Sequence, residues 1–172
     1  YGGGNVFRHS RAFYQGHMRR LKRGDWGDTP MHELSHVFDS DKWIFDAETL
    51  SQLKIYYAME VFNARVYRPD RFASTGGGWY TGTNYYTLLK KERFLDSYQA
   101  SFARNRYSSE GFAAVLIELE RKINGWEPFK KTFRYFGSLP DSQIPQADGD
   151  KLNLFLTKLK DYSGRDVLGF MS

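Results

Sequence analysis

The segment TPMHELSH contains two histidines four positions apart. On an α-helix, side chains at this spacing are separated by about 40° around the axis and about 6 Å along it, so both imidazoles face one point. Asp28 or Thr29 can cap such a helix, and Pro30 falls in its first turn, where the missing N–H costs no hydrogen bond. We therefore predict a helix that begins at Thr29 and ends near Asp39-Ser40.

A glutamate follows the first of these histidines. Glu33 lies about 100° around the helix from His32, too far to share an ion comfortably but well placed to hold a water beside it. Together with His36, these residues form the His-Glu-x-x-His pattern of zinc metalloproteases, in which the glutamate is the general base. Since the chain has only four histidines, we interpret the match as a zinc site rather than as a polar helix face with two ordinary histidines.

The third ligand of such a site has to be a histidine or a carboxylate. The 172 residues include no cysteine, which excludes a disulfide framework, a thiolate nucleophile and a cysteine-rich zinc site. A catalytic zinc normally has three protein ligands. Glu48 is the preferred third ligand, because a short connection can fold the next helix back against the first. Gln52, one turn later, is placed to hydrogen-bond a metal-bound group, and Asp39 is expected to support the ligands from outside.

Other candidates for the third ligand stay open. These are Asp41, Asp46, His9 and His17, and for both histidines an ordinary structural role is the preferred interpretation. Glu48 itself could instead be a first-turn carboxylate that the helix dipole favours.

The rest of the chain indicates one mainly α (α+β) domain over residues 1–172. Arg11 to Leu21 is predicted to be a short helix. Hydrophobic spacing predicts further helices from Asp46 (Leu50, Leu53, Tyr57, Ala58 and Val61) and around Leu88, Leu95, Tyr98 and Phe102. Three more helices are predicted from their apolar residues. The first contains Phe112, Val115, Leu116, Leu119 and Ile123. The second contains Phe129, Phe133 and Phe136, with Gly137 as a stop, and the third contains Leu152, Phe155, Leu156 and Leu159. The stretch Tyr1 to Phe7 is predicted to be a small, truncated β element. The glycine-rich STGGGWYTGTN, residues 74–84, is predicted to be a flexible loop, because it lacks the ending of a phosphate-binding loop.

The charge and hydropathy of the chain limit the classes of partner that we expect it to bind. The net charge is +5, and the basic run at residues 19–23 is interpreted as a solvated helix end rather than a nucleic-acid patch. No apolar run reaches the roughly 20 residues of a membrane span, so we expect neither nucleic-acid binding nor membrane insertion. The chain starts at Tyr1 without a signal peptide, and we expect it to be a fragment of a longer multidomain protein.

HELSH, followed after a short spacer by Glu48 in FDAETLSQLKIYY, resembles the gluzincin arrangement of His-Glu-x-x-His plus a glutamate on the following helix. The chain is most similar to the enhancin-like, mucin-directed zinc metallopeptidases, whose glutamate helix also continues into polar and then aromatic positions. GWEPFKKTFRYF at 125–136 resembles their Gly-Trp-x-x-Phe segment, and the likeness spans roughly Asp28 to Phe136.

Three positions depart from the pattern of that family. Ser35 stands where glycine is usual, Ala47 precedes the glutamate where glycine is common, and Gln52 replaces a frequent asparagine. The departures leave the chemistry intact, but they leave the subfamily and its substrate open.

The resemblance implies a zincin-like domain and a secreted or cell-surface zinc metalloendopeptidase that cuts O-glycosylated, mucin-type proteins. It implies that His32, His36 and Glu48 bind Zn²⁺ and that Glu33 is the general base. The implied partner is a peptide or glycoprotein substrate, including its mucin glycans. A tyrosine could stabilise the oxyanion, although for Tyr85 and Tyr86, which follow the glycine-rich loop, a place in the core is the preferred interpretation.

Two other function classes remain. A catalytically silent zincin-fold module could bind glycans or proteins, but such a binder has no need for the general base Glu33. A zinc-stabilised structural domain usually has four protein ligands, and no fourth is evident in the sequence.

Overall fold

A computed structural model describes residues 10–68, 78–89, 109–123, 125–167 and 169. These residues form seven α-helices and two strands: α1 (Arg11–Leu21), α2 (Asp28–His36), α3 (Ala47–Val61), β1 (Val66–Arg68), β2 (Gly78–Tyr80), α4 (Gly82–Leu89), α5 (Ser109–Lys122), α6 (Glu127–Ser138) and α7 (Asp148–Ser163). The described part of the chain is therefore helix-rich, as its hydrophobic spacing predicts, with one small sheet.

Helix α3 lies at the centre of the described fold, where it packs against α2, α4 and α5. Its buried apolar side chains are Leu50, Leu53, Ile55, Tyr56 and Met59. They cover more of the helix circumference than one stripe, because α3 has neighbours on several sides. Val61, which the spacing assigns to the buried face, is 45% exposed, since α3 ends there.

Helices α6 and α7 pack against each other around an aromatic core. The ring of Phe155 lies 5.9 Å from that of Phe129 and 5.3 Å from that of Phe45, which belongs to the connection between α2 and α3. All three side chains are buried. This contact anchors the connection that leads to Glu48. Gly137 does not stop α6, which continues to Ser138.

The two strands form an antiparallel ribbon in the register Val66 with Tyr80, Tyr67 with Trp79 and Arg68 with Gly78. Buried Asp25 attaches this ribbon to the segment before α2, because its Oδ1 accepts hydrogen bonds from the backbone N–H groups of Gly27 (2.9 Å) and Tyr67 (3.0 Å). The predicted loop at 74–84 is thus wrong for Gly78–Tyr80 and for the part that begins α4.

Both predicted ends of α2 need correction. The cap residue of α2 is Gly27, and Asp28 is already helical. Gly27 has φ 73°, and a Cβ added there would lie 3.1 Å from the Pro30 ring. The helix ends at His36 rather than near Asp39-Ser40, because the N–H groups of Val37 and Phe38 bond to carbonyls only three residues back. This tightening turns the chain, so that Asp39 folds back towards His36.

Other expectations stand as follows. The helices α1, α3, α5, α6 and α7 are confirmed. The predicted strand Tyr1–Phe7 and the stripe of Leu88, Leu95, Tyr98 and Phe102 lie outside the described residues, apart from the backbone of Leu88 in α4. Among the helices described, none has the length and apolar character needed to cross a membrane.

Candidate metal centre

A structured connection carries the chain from α2 to α3. The carbonyl oxygen of Ser40 accepts hydrogen bonds from the N–H groups of Trp43 and Ile44, both at 3.0 Å, which closes a turn. The Asp46 side chain then caps α3 by accepting a hydrogen bond from Thr49 N–H at 2.8 Å. With the helix started at this point, Glu48 falls in its first turn and faces α2.

Three possible ligand groups, two imidazoles and one carboxylate, meet between α2 and α3. The Nε2 atoms of His32 and His36 lie 3.2 Å apart. The Glu48 carboxylate places Oε2 at 3.1 Å from Nε2 of His32, and Oε1 at 3.7 Å from Nε2 of His36. The two imidazoles are partly buried, whereas the Glu48 side chain is 61% exposed. Of the histidines and carboxylates in the described residues, this is the one trio that could hold an ion.

The separation of these atoms suits zinc. Nitrogen and oxygen ligands bind Zn²⁺ at about 2.0–2.2 Å in tetrahedral geometry, which puts two ligands of one ion roughly 3.3 Å apart. The separations of 3.2 Å between the two Nε2 atoms and of 3.1 Å between Nε2 of His32 and Oε2 of Glu48 are close to that value, and one ligand atom from each of the three residues lies within 4.8 Å of the others. Two imidazoles and a carboxylate are also a donor set found in catalytic zinc sites, with a fourth position left for water or substrate.

His36 is supported by a partly buried ion pair. Its Nδ1 lies 2.9 Å from Oδ2 of Asp39, so a proton on Nδ1 leaves the lone pair on Nε2. The other Asp39 oxygen pairs with the Lys54 ammonium, which also donates to the carbonyl of Ser35 at 2.8 Å. Burial lowers the pKa of Lys54, although the neighbouring Asp39 carboxylate acts in the opposite direction. His36 is therefore backed by a carboxylate with its own counter-ion.

His32 is supported by neutral groups instead. Its Nδ1 lies 3.1 Å from Oγ of Ser51, and the same hydroxyl is 3.0 Å from the His32 carbonyl oxygen. Ser35 donates to Ser51 at 2.5 Å. If Ser51 donates its own proton to the carbonyl, its oxygen can accept the Nδ1 proton, which again leaves Nε2 free for an ion.

Gln52 lies behind His32, one helical turn after Glu48. Its amide nitrogen lies 3.4 Å from Nδ1 of His32, and its carbonyl oxygen accepts a 2.7 Å hydrogen bond from the hydroxyl of buried Tyr85. It therefore stands behind His32 rather than beside the point that the Nε2 atoms share. Tyr85 and Tyr86 are both buried in the core, as preferred from the sequence.

The remaining predicted residues have these positions. Glu33 is partly buried, and its carboxylate has no hydrogen-bond or ion-pair partner among the described residues. Asp46 is the cap of α3, and His17 belongs to α1; neither joins the ligand trio, and nor does exposed Asp41. His9 lies outside the described residues.

Sequence reasoning missed Ser51 and Lys54, although both carry a signal. Lys54 interrupts the apolar stripe formed by Leu50, Leu53 and Tyr57, and a charged residue in such a stripe needs a partner. Ser51 follows Glu48 by three positions and therefore lies on a neighbouring part of the same helix face.

The comparisons with known proteins identify the family. No curated protein and no solved structure matches the chain. Residues 8–171 match the family model described as peptidase M60, enhancin and enhancin-like, which confirms the resemblance found in the sequence. Because the match covers nearly the whole chain, the protein belongs to the peptidase M60 family of enhancin and enhancin-like proteins.

Proposed function

We propose that this chain is a zinc-dependent endopeptidase of the gluzincin type, in a zincin-like domain. Family membership indicates a metallopeptidase. The observation that carries the proposal is the meeting of the His32, His36 and Glu48 donor atoms at separations suited to one tetrahedral ion. We assign these residues as the zinc ligands, with Asp39 orienting His36, with Ser51 orienting His32, and with Gln52 packed behind His32.

In the proposed mechanism, each residue has a separate task. When bound, zinc supplies a Lewis acid that polarises the scissile carbonyl and makes water acidic enough to lose a proton near neutral pH. Glu33 accepts that proton at its carboxylate and returns it to the nitrogen of the leaving amine. A carboxylate without a partner among the described residues is suited to this role, because no counter-ion has to be displaced before it takes the proton.

The proposed substrate is an O-glycosylated, mucin-type protein, recognised as a peptide together with its glycans. The enhancin-like character of the family supports this substrate class, and also a secreted or cell-surface location.

The test compares the wild type with Glu33→Gln on a glycosylated peptide and on the same peptide without glycan. Both proteins should retain one zinc, because Glu33 is not a ligand. Glu33→Gln should lower kcat by about 10²–10⁴-fold, the usual contribution of a general base. Zinc content and the cleavage products, identified by mass spectrometry, are the measurements.

The outcomes separate the competing functions. A zinc-loaded wild type that cleaves neither peptide would favour the silent binding module over the peptidase. Equal cleavage of both peptides would support a peptidase but contradict the mucin-directed substrate.

A further inference from the structure

Lys54 connects two helices at the edge of the candidate metal centre. Its ammonium reaches from α3 to the end of α2, where it donates to the Ser35 carbonyl at 2.8 Å and pairs with Oδ1 of Asp39. The side chain of Asp39 is 9% exposed and that of Lys54 is 23% exposed. The pair is thus largely removed from water.

Asp39 needs this counter-ion because of its position. It lies just beyond the C-terminus of α2, where the helix dipole is negative and disfavours an anion. A nearly buried carboxylate without a partner would be costly there and would tend to turn towards solvent. Lys54 compensates both the carboxylate and the helix end.

The two oxygens of Asp39 divide their contacts. Oδ1 faces Lys54, while Oδ2 lies 2.9 Å from Nδ1 of His36. Lys54 therefore determines where the carboxylate sits, and the carboxylate determines which ring nitrogen of His36 carries the proton. Only the tautomer protonated at Nδ1 presents a lone pair at Nε2.

We propose that Lys54 is a positioning residue of the metal centre, which acts on zinc binding through Asp39 and His36. This inference rests on the proposed function, because it assumes that the His32, His36 and Glu48 site takes up zinc. Alternatively, Lys54 could only hold α2 and α3 together, in which case its loss would lower the stability of the fold without a specific effect on zinc affinity.

The experiment measures zinc affinity by competition with a chromophoric chelator for Lys54→Met, Lys54→Arg and Lys130→Met. Lys54→Met should weaken zinc binding by about 10–100-fold, the usual cost of losing a group that orients a ligand. Lys54→Arg should recover most of this loss, since it keeps the charge. Lys130→Met is the matched control, because Lys130 of α6 lines the same aromatic groove as Lys54 of α3 but pairs with Glu127, away from the metal site.

A double-mutant cycle with Asp39→Asn distinguishes positioning from bracing. If Lys54 acts through the Asp39 carboxylate, Lys54→Met should have little further effect on zinc affinity once Asp39 is neutral. Thermal unfolding of each metal-free variant shows whether that variant is folded. If Lys54→Met does not fold, the zinc affinities of Lys54→Arg and Asp39→Asn are compared instead of those in the cycle.

The outcomes are separable. Wild-type protein that binds no zinc would overturn the proposed function and this inference with it. Wild-type protein that binds zinc, with Lys54→Met binding it equally tightly or with additive effects in the cycle, would overturn only the role of Lys54.

Discussion

The two histidines of the candidate metal centre differ in what stands behind them. His36 has a carboxylate with its own ammonium counter-ion, whereas His32 has the hydroxyl of Ser51 and the amide of Gln52. A carboxylate behind an imidazole raises its basicity more than a hydroxyl does. We therefore expect His36 to be the stronger donor of the pair.

Glu48 can be tested as a ligand separately from its effect on stability. Since its side chain is 61% exposed, Glu48→Gln should change the free energy of unfolding by less than about 0.5 kcal/mol. Zinc affinity should fall by more than about 100-fold, because losing a ligand costs more than losing a group behind one. The measurements are zinc content after dialysis and thermal unfolding of the metal-free protein.

Glu127→Gln is the matched control, since Glu127 is also an exposed glutamate in the first turn of a helix. It should leave zinc content unchanged. Unaltered zinc affinity in Glu48→Gln would remove Glu48 from the ligand set and leave it as a carboxylate favoured by the helix dipole.

At the scale of elements, the site depends on how closely α2 and α3 approach. Ser35 and Ser51 are buried at their contact, and their hydroxyl oxygens lie 2.5 Å apart. Small side chains allow this approach, and Ser35 uses its hydroxyl where the family pattern usually has glycine. The departure from the pattern thus adds a hydrogen bond between the helices.

The cap of α3 should affect both stability and zinc binding. Asp46 accepts hydrogen bonds from Thr49 N–H and from the Ser109 hydroxyl, so Asp46→Ala should cost about 1–2 kcal/mol and lower Tm by roughly 2–8 °C. Zinc affinity should fall severalfold, because a frayed first turn no longer holds Glu48 beside the histidines. Thermal unfolding and chelator competition measure the two effects.

Ser10→Ala provides the comparison, because Ser10 caps α1 through Phe13 N–H at 3.2 Å. It should lower stability without changing zinc affinity. Equal zinc affinity in Asp46→Ala and wild type would show that the first turn of α3 does not depend on its cap.

For the molecule as a whole, the buried carboxyl group of Glu120 destabilises the folded state at neutral pH. Burial and, to a smaller extent, the nearby Glu60 carboxylate raise the pKa of Glu120 to about 7, although Arg121 acts in the opposite direction. One Glu120 oxygen, Oε2, is buried and has no hydrogen-bond partner within the part of the chain that the structure describes. The folded protein therefore holds this proton at a pH where the unfolded chain has already released it.

This difference predicts a pH-dependent gain from Glu120→Gln. Between its ordinary pKa of 4.5 and about 7, the folded state binds more protons than the unfolded state, so stability falls as pH rises through this range. Glu120→Gln should remove the penalty and stabilise the protein by about 1–3 kcal/mol at pH 8, with little effect near pH 4. Tm measured at both pH values tests this.

Exposed Glu127→Gln should show no such gain at either pH. A stability change in Glu120→Gln that is the same at both pH values would mean that Glu120 loses its proton normally in the folded protein.

Much of the fold follows from local pattern. Helices α1, α3, α5, α6 and α7 were predictable because apolar residues recur at helical spacing and capping residues or glycines flank them. The end of α2 was not, since no glycine or proline closely follows His36 and the turned chain is held by the pairing of Asp39 with Lys54 of another helix. The β1–β2 ribbon was missed because each strand has only three residues.

The chemistry available to this protein can be read from its sequence: two histidines one helical turn apart, a glutamate between them, further carboxylates nearby and no cysteine. The packing of the helices selects which carboxylate comes to the histidines, and it places Gln52 and Lys54 behind them. The reason is that these contacts join residues that are far apart in the sequence. Helical spacing relates residues three or four positions apart, whereas the pairs His32 with Ser51 and Asp39 with Lys54 depend on how two helices turn, cross and rotate against each other.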